Sequence, residues 1–255
     1  MIHDFTIEKY EQLCAAILKS DYSTLTMERY FSSRSLPSRY IILRHDVDRK
    51  PQNALSLAKV EAKFGICSTF YFRHTPSVLK PKLIDEISKM GHEIGYHYET
   101  LSKTRGNIKK AIQLFDTELQ NLRKICKINT ISMHGRPLSR WDNRDLWTYA
   151  DLSHFGLLGE VYLSIDYNKI YYFTDTGRNW RSTRYNVRDR VEGKTIPDLD
   201  STDELITYIS SENPKAICIL THPNRWTNNK LEWLMESLSD YLANSAKVLI
   251  SKFYH

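Results

Sequence analysis

Short apolar segments alternate with longer amphipathic segments along the first half of this chain, and that alternation restricts its fold more than any other feature. Four apolar segments have the length of single strands: 40–43, 68–72, 93–96 and 130–133. Strands that alternate with helices of ten or more residues predict βαβ units and a parallel sheet. The chain has 255 residues, of which 41% are hydrophobic, so it can bury the core of such an α/β domain.

Proline and glycine mark the ends of the predicted helices. Pro51 and Pro81 stand where a helix accepts proline, in its first turn, and Gly65 and Gly91 stand where a helix ends. A third helix is predicted after the third strand, with apolar residues at helical spacing over 108–122. The pattern therefore gives three helices with clear boundaries.

The N-terminal segment lies outside this alternation. Residues 5–35 are predicted to be helical, with Leu13, Ala16 and Ile17 on one face. We therefore divide the chain into a short N-terminal helical addition, 1–38, and one α/β domain, 39–255.

The middle of the chain is less regular. Two apolar runs, 161–165 and 170–173, are predicted to be strands joined by a turn, which would make an elaborated hairpin. Pro214 then precedes a last predicted strand at 216–220.

Polar residues follow each predicted strand. The segments that come directly after the strands are RHDVD, RHT, HYE, HGRPLS and THPNRW. In parallel sheets and barrels, ligands bind beyond the carboxyl ends of the strands. These segments are therefore the predicted functional site.

Two carboxylates crowd the end of the first strand. On an extended chain Asp46 and Asp48 point the same way and His45 points opposite. Carboxylates this close repel each other unless a cation or a proton relieves them, so the pair suits a metal ligand beside a general base. The alternative is a solvated turn, in which aspartate is common.

Three histidines, His97, His134 and His222, each stand at the end of a separate predicted strand. A single histidine in such a place is more often structural, but three together favour a site. With Asp48 they form an Asp/His set that suits zinc or another borderline divalent metal. His74 is a further possible contributor.

These motifs resemble those of the polysaccharide deacetylases of the NodB-homology type, carbohydrate esterase family four. The resemblance lies in LRHDVD, GHEIGYHYETL and ICILTHP, and it covers roughly 40–225. HDVD with GHEIGYHYE is more specifically similar to a divergent branch found among bacterial surface-glycan biosynthesis proteins. The resemblance implies a distorted (β/α) barrel of about seven parallel strands.

The resemblance also implies a role for each motif residue. It makes Asp46 the general base, Asp48 and His97 metal ligands and His222 the catalytic acid. The family has an arginine that orients the base, expected here to be Arg136, with Arg44 as the alternative. The implied reaction is hydrolysis of an N-acetyl group on a sugar, in which a divalent metal lowers the pKa of water and the base takes its proton.

One family residue is missing. The second histidine of the family, four residues after the first, is Leu101 here, and leucine cannot bind a metal. We expect His134 to be the third ligand, with His45 and Glu99 as alternatives.

The chain is rich in aromatic residues, with 16 Tyr and 5 Trp. Sugar rings stack on aromatic faces, although core packing is the commoner role of any single ring. The segment TDTGRNW is the expected substrate loop, and the expected contacts are Asp175, Arg178, Trp180 and Trp226.

Charge and composition limit the classes of molecule that this protein is expected to bind. The net charge of +6 comes from scattered Lys and Arg residues without a nucleic-acid-binding motif, so nucleic acid is not expected. The excess could favour an anionic ligand such as a sugar nucleotide, a phosphorylated lipid or an acidic glycan. The four cysteines form no CxxC pair and are expected to be free thiols. No signal sequence or apolar run of ~20 residues is visible, so a cytoplasmic location without a transmembrane segment is expected.

The sequence therefore predicts a metal-dependent carbohydrate deacetylase. It would remove an N-acetyl-type group from an amino sugar in surface-polysaccharide or lipopolysaccharide biosynthesis. Two alternatives remain: an amide hydrolase that acts on a different small substrate, and a non-catalytic glycan-binding protein on the same fold.

Overall fold

The computed structural model describes residues 3–136, 139–181 and 190–253, and in the last helix it describes side chains as far as residue 245. Its centre is a parallel sheet. The strands are β1 (Ser23–Leu25), β2 (Tyr40–Val47), β3 (Thr69–Arg73), β4 (Glu93–Tyr98), β5 (Thr130–Met133), β6 (Gly159–Glu160), β7 (Tyr171–Thr174) and β8 (Ala216–Thr221).

Seven of the strands form one path, in the order β6-β5-β4-β3-β2-β8-β7, and every pair in it is parallel. Strand β1 pairs with the first half of β2, ahead of the point where β3 begins to pair with it. The sheet curls into a half-barrel, and among the described residues no pairing joins β6 to β7. The predicted distorted barrel of about seven parallel strands is confirmed.

The helices cover the sheet between the strands. They are α1 (Ile7–Lys19), α2 (Met27–Ser32), α3 (Pro51–Lys63), α4 (Pro81–Lys89), α5 (Thr100–Lys103), α6 (Ile108–Arg123), α7 (Thr202–Ser211) and α8 (Lys230–Phe253), with 3-10 turns at Asn143–Thr148, Leu152–Phe155 and Pro223–Arg225. Prolines begin α3 and α4, as predicted. Within the described part of the chain, no helix combines the length and apolarity needed to cross a membrane.

Both faces of the sheet are buried. All eight residues of β2 and all six of β4 and of β8 are buried, as is usual for parallel strands that are covered on both faces. Polar side chains within these strands must therefore find partners inside the protein, because water does not reach them.

The N-terminal segment is not one helix. Helix α1 ends at Lys19, Asp21 takes a left-handed conformation with φ of 55°, and β1 follows within the residues expected to be helical. Since β1 hydrogen-bonds to β2, part of the segment 1–38 belongs to the central sheet.

The predicted hairpin in the middle of the chain is wrong. Residues 161–165 form a turn, and β7 pairs in parallel with β8. The carboxylate of Glu160 accepts hydrogen bonds from the backbone N–H groups of Tyr162 and Leu163. Those donors would be needed for strand pairing, so the chain turns here instead.

Candidate metal and catalytic site

The carboxyl ends of four parallel strands, β5, β4, β2 and β8, bring the predicted site residues to one edge of the sheet. Asp46 lies in β2 and Asp48 directly follows it, while His97 lies in β4. His134 and His222 directly follow β5 and β8. The ligand atoms of Asp48, His97 and His134 all lie within 4.8 Å of one another.

Both imidazole rings present the same nitrogen to Asp48. Its Oδ1 lies 3.3 Å from Nε2 of His97 and 3.3 Å from Nε2 of His134. The Nδ1–H of His97 donates to the carbonyl oxygen of Ser132 at 2.9 Å, and that of His134 donates to Oε2 of Glu99 at 3.2 Å. A neutral ring protonated at Nδ1 carries its lone pair on Nε2, which is the arrangement of metal-binding histidines.

The three groups fit a divalent cation. Oδ1 of Asp48 is buried and has no hydrogen-bond donor among the described residues. The lone pairs of the two Nε2 atoms and the anionic oxygen of Asp48 therefore face one another. Ligand atoms about 3.3–3.4 Å apart are what a tetrahedral ion with bonds of about 2.1 Å requires. The donor set of one carboxylate and two imidazoles also suits zinc.

The charges of the site favour a cation as well. Burial lowers the pKa of His97, but Asp46 and Asp48 outweigh it and raise that pKa above its usual value. Burial raises the pKa of Asp48, but His134 and His97 hold it well below its usual range. The pocket thus stabilises positive charge, which either a proton or a metal ion can supply.

Asp46 stands beside the metal ligands with one oxygen held and one free. Its Oδ2 lies 3.4 Å from Nη2 of Arg44, 3.4 Å from Oγ of Ser132 and 3.8 Å from Nε2 of His97. Its Oδ1 is buried and has no hydrogen-bond donor among the described residues. One carboxylate oxygen is therefore fixed while the other can accept a proton.

Arg44, the alternative to Arg136 as the orienting arginine, lies against Asp46, the predicted base. The guanidinium of Arg44 is fully buried and also donates to the hydroxyl of Tyr162 at 2.6 Å. Arg136 is 49% exposed, and its Nε lies 3.9 Å from Oε2 of Glu99. The structure therefore brings Arg44 into contact with Asp46, while Arg136 contacts Glu99.

His222 is held by a buried carboxylate. Its Nδ1 lies 2.6 Å from Oδ1 of Asp175, and its backbone N–H donates to Oδ2 of the same residue at 2.9 Å. Arg225 and Trp226 donate to Asp175 as well. Burial raises the pKa of Asp175, but Arg225 and His222 keep it below its usual value, so the carboxylate is anionic. His222 is left with Nε2 available to the cleft.

The residues expected to contact substrate form a layer beneath the cleft instead. Asp175, Trp180 and Trp226 are all but inaccessible to solvent, and the indole N–H of Trp180 donates to Thr202. Arg178 donates to Asp240 at 3.1 Å. None of the four expected contacts is among the residues that line the cleft. Asp175 binds His222 and Trp226, and Trp180 binds Thr202, so these polar groups are engaged by protein partners beneath the cleft.

The alternatives for the third ligand are also settled by their contacts. Nδ1 of His45 lies 2.6 Å from Thr221 and its Nε2 lies 2.9 Å from Glu61, on the far side of β2 from Asp46. Glu99 binds Arg73 and His134, which lower its pKa to about 2 although burial raises it. Both ring nitrogens of His45 and both carboxylate oxygens of Glu99 therefore have partners within the protein.

An open cleft of about 1080 Å³ gives access to the site. Asp48, His134 and His222 all line it. Trp141 lines it too, although it was not among the four contacts expected from the sequence. The signal was present, since Trp141 follows the polar segment after β5.

Comparisons with known proteins give structural likeness only. No protein-family model and no curated protein matches the sequence. The chain is similar to a family 4 carbohydrate esterase (CE4) from Streptococcus mutans, with 16% identity, 86% of this chain and 85% of that chain covered and a TM-score of 0.45. Similar esterases from Bacillus anthracis (14%; 81% and 76%; 0.40) and Bacillus subtilis (17%; 90% and 82%; 0.40) are also found. All three TM-scores lie below 0.5, so the function is inferred from the geometry of the site.

Proposed function

We propose that this protein is a metal-dependent hydrolase that removes an N-acetyl-type acyl group from an amino sugar. The observation that carries the proposal is the convergence of Asp48, His97 and His134 on one point of the cleft, with Nε2 of both rings free to bind. Asp46 and His222 supply a base and an acid beside that point.

The first step needs a nucleophile and a base. A divalent ion held by Asp48, His97 and His134, with zinc as the proposed ion, supplies Lewis acidity that lowers the pKa of water and polarises the acyl carbonyl. Oδ1 of Asp46 takes the proton of the attacking water, while Arg44 and Ser132 hold Oδ2 in place.

The second step breaks the carbon–nitrogen bond. An amine leaves only when its nitrogen is protonated, and Nε2 of His222 faces the cleft to give that proton. Asp175 fixes the ring through Nδ1 and stabilises its charged form. The products are a carboxylate such as acetate and the free amino sugar.

The cleft favours a sugar over the alternatives. Its volume of about 1080 Å³ exceeds what a small amide needs, and Trp141 offers a face for a sugar ring. The presence of both Asp46 and His222 argues against a purely binding role. By the sequence resemblance, we place the reaction in the synthesis of a bacterial surface polysaccharide or lipopolysaccharide, in the cytoplasm.

Release of acetate together with free amine tests this function. Purified, zinc-loaded protein is incubated with N-acetylglucosamine oligosaccharides and with nucleotide-linked N-acetyl sugars, and both products are measured. We expect equal amounts of both, and a loss of about 100-fold or more in the Asp46→Asn variant. Asp166→Asn, which changes an exposed turn aspartate, is the matched control. Full activity in Asp46→Asn would remove Asp46 as the base.

A further inference from the structure

The wall of the cleft is unusually cationic. It is lined by six basic side chains, namely Arg49, Arg73, Lys103, Arg105, Arg136 and Arg225, against the two carboxylates of Asp48 and Asp240. Four of the six are each paired at 3.0 Å or less with a carboxylate of the protein, in the pairs Arg49–Glu236, Arg73–Glu99, Lys103–Glu118 and Arg225–Asp175.

Two arginines keep their charge for the cleft. Arg105 is exposed, and among the described residues no carboxylate lies within ion-pair distance of it. Arg136 is 49% exposed, and its 3.9 Å contact is with Glu99, whose oxygens already bind Arg73 and His134. Both arginines can therefore bind an anion without breaking a close ion pair.

The backbone holds Arg105 close to the aromatic face of the cleft. The neighbouring Gly106 packs so tightly on Trp141 that a Cβ there would lie 2.1 Å from the indole nitrogen. Arg105 itself has a left-handed φ of 52°, a conformation that is strained for a non-glycine residue. The turn is fixed by a hydrogen bond from the N–H of Gly106 to the carbonyl oxygen of Leu101 at 2.9 Å.

We propose that Arg105, Arg136 and Trp141 form a subsite for an anionic group, a phosphate or a carboxylate, that is attached to the acylated amino sugar. The indole contacts the sugar where it lines the cleft, and the two guanidinium groups bind the anion, since their planar donors match both oxyanions. This subsite rests on the proposed function, because it names the substrate class of the same cleft.

Calorimetric binding tests the subsite without turnover. In the Asp46→Asn background, the zinc-loaded protein is titrated with N-acetylglucosamine, N-acetylglucosamine 1-phosphate and N-acetylmuramic acid, whose charge is a carboxylate. We expect at least one charged sugar to bind about tenfold more tightly than the neutral sugar at low salt, with the gain shrinking as salt screens it. The anion that gives the larger gain identifies the group.

Three arginine variants decide the outcome. Arg105→Gln and Arg136→Gln are each expected to remove most of the gain and to leave the affinity for the neutral sugar unchanged. Arg29→Gln, which changes an exposed arginine of α2 that does not line the cleft, should keep the gain. Equal binding of charged and neutral sugars would overturn the subsite. Charge-selective binding by a protein that releases no acetate would overturn the hydrolase instead.

Helix α8 buries acidic side chains and exposes its large apolar ones, the reverse of the usual arrangement. Its buried side chains are the acidic Glu236 and Asp240, which pair with Arg49 and Arg225. Among its described side chains no apolar one is buried, and six large apolar ones are 49–70% exposed: Leu231, Leu234, Met235, Leu238, Tyr241 and Leu242. This set is called the α8 stripe below.

The spacing of the α8 stripe fits a second helix. Its members fall on successive turns at 231, 234/235, 238 and 241/242, so from one turn to the next they lie three or four residues apart, which is the pattern of a seam between paired helices. No Lys or Arg lies between Leu231 and Leu242, whereas helices that lie on anionic membranes carry such residues. The six side chains, each 49–70% exposed, together present an apolar area on the order of the 800 Å² that a stable interface buries on each partner.

The geometry points to pairing of two copies of this chain through their α8 stripes. A twofold axis sets the same stripe against itself, so a single apolar surface satisfies both partners. The opposite side of α8 lines the cleft through Ser239, Asp240 and Ala243, so the pairing braces one cleft wall.

Sedimentation equilibrium tests the pairing. We expect a mass of twice 30.0 kDa for the wild type, and 30.0 kDa for the Leu234→Glu/Leu238→Glu double variant with an unchanged circular dichroism spectrum. Leu18→Glu, which adds the same charge on exposed α1, should stay dimeric. A monomeric wild type would overturn the pairing. So would binding to vesicles with anionic lipids that the double variant loses, since it would assign the stripe to a membrane.

Discussion

In the proposed metal site, His134 takes the place of the histidine that the sequence resemblance leads one to expect at position 101. Leu101 is 2% exposed and packs in the core, whereas His134 reaches the site from the end of the neighbouring strand β5. Glu99, which the sequence offered as an alternative ligand, supports His134 from behind by accepting from its Nδ1–H. The residue types were visible in the sequence. Their roles depended on which atom each ring uses, and sequence spacing does not show that.

Substitution of Glu99 tests this supporting role. In Glu99→Gln the acceptor for His134 loses its charge, so the ring is less firmly oriented and its Nε2 is less basic. We expect zinc affinity, measured by competition with a chelator, to fall by about 10- to 100-fold. Glu118→Gln removes the charge of another buried carboxylate, which binds Lys103 and contacts none of the three proposed metal ligands. This variant should keep the zinc affinity of the wild type. Equal affinities in all three proteins would show that Glu99 does not tune the site.

At the scale of elements, the sequence predicted the strands that carry the site and missed the surroundings. The periodic pattern placed β2 to β5 and β8 within a few residues, because buried parallel strands are continuous apolar runs. It misread residues 161–165, where the Glu160 carboxylate takes backbone donors that a strand would use. It also assigned Trp180 to the substrate, because an aromatic residue near a polar segment looks the same whether its ring faces the cleft or the core.

The turn after α5 provides a test at this scale. Gly106→Ala introduces a methyl group that collides with Trp141 and adds strain at a φ of 81°. We expect it to cost about 1–3 kcal/mol of unfolding free energy in urea and to shift the NMR signal of the Trp141 indole N–H. Gly65→Ala has a similar φ of 66° but open space around it, so it should cost about 1 kcal/mol and leave that signal in place. Matching effects in the two variants would mean that Trp141 does not pack on the turn.

For the whole molecule, the alternation of strands and helices was enough to predict the parallel sheet and the edge that holds the site, whereas the barrel shape was implied by the family resemblance. It could not predict that α8 turns its acidic side inward, since an amphipathic pattern defines a stripe but not the direction of the core. It could not choose among the aromatic rings either, because that depends on long-range packing. The surface-glycan setting, the cytoplasmic location and the boundary at residue 38 stay predictions.

The buried carboxyl of Glu93 should make the stability of the whole fold depend on pH. Burial raises its pKa to about 7, although Thr69, Thr130 and the backbone of Glu28 donate to it. A carboxyl whose folded pKa is raised stabilises the fold below its unfolded pKa and loses that contribution as pH rises through about 7.

Urea unfolding at pH 5 and pH 8 measures this effect. The wild type should lose on the order of 1–3 kcal/mol relative to Glu93→Gln between the two values. Glu212→Gln, at an exposed position, should follow the wild type. If wild type and Glu93→Gln change in parallel with pH, Glu93 does not titrate in this range.

The central claim, that Asp48, His97 and His134 together hold one divalent metal ion, is tested most directly by the metal content of purified protein. Elemental analysis after incubation with zinc and gel filtration is carried out on wild type, His97→Ala, His134→Ala and the control His154→Ala, a histidine outside the cleft. We predict about one zinc per chain in wild type and control, and loss of zinc from both site variants. Wild type that stays empty after zinc, cobalt or nickel is offered would contradict the metal site. Zinc retained in His134→Ala would contradict the ligand set.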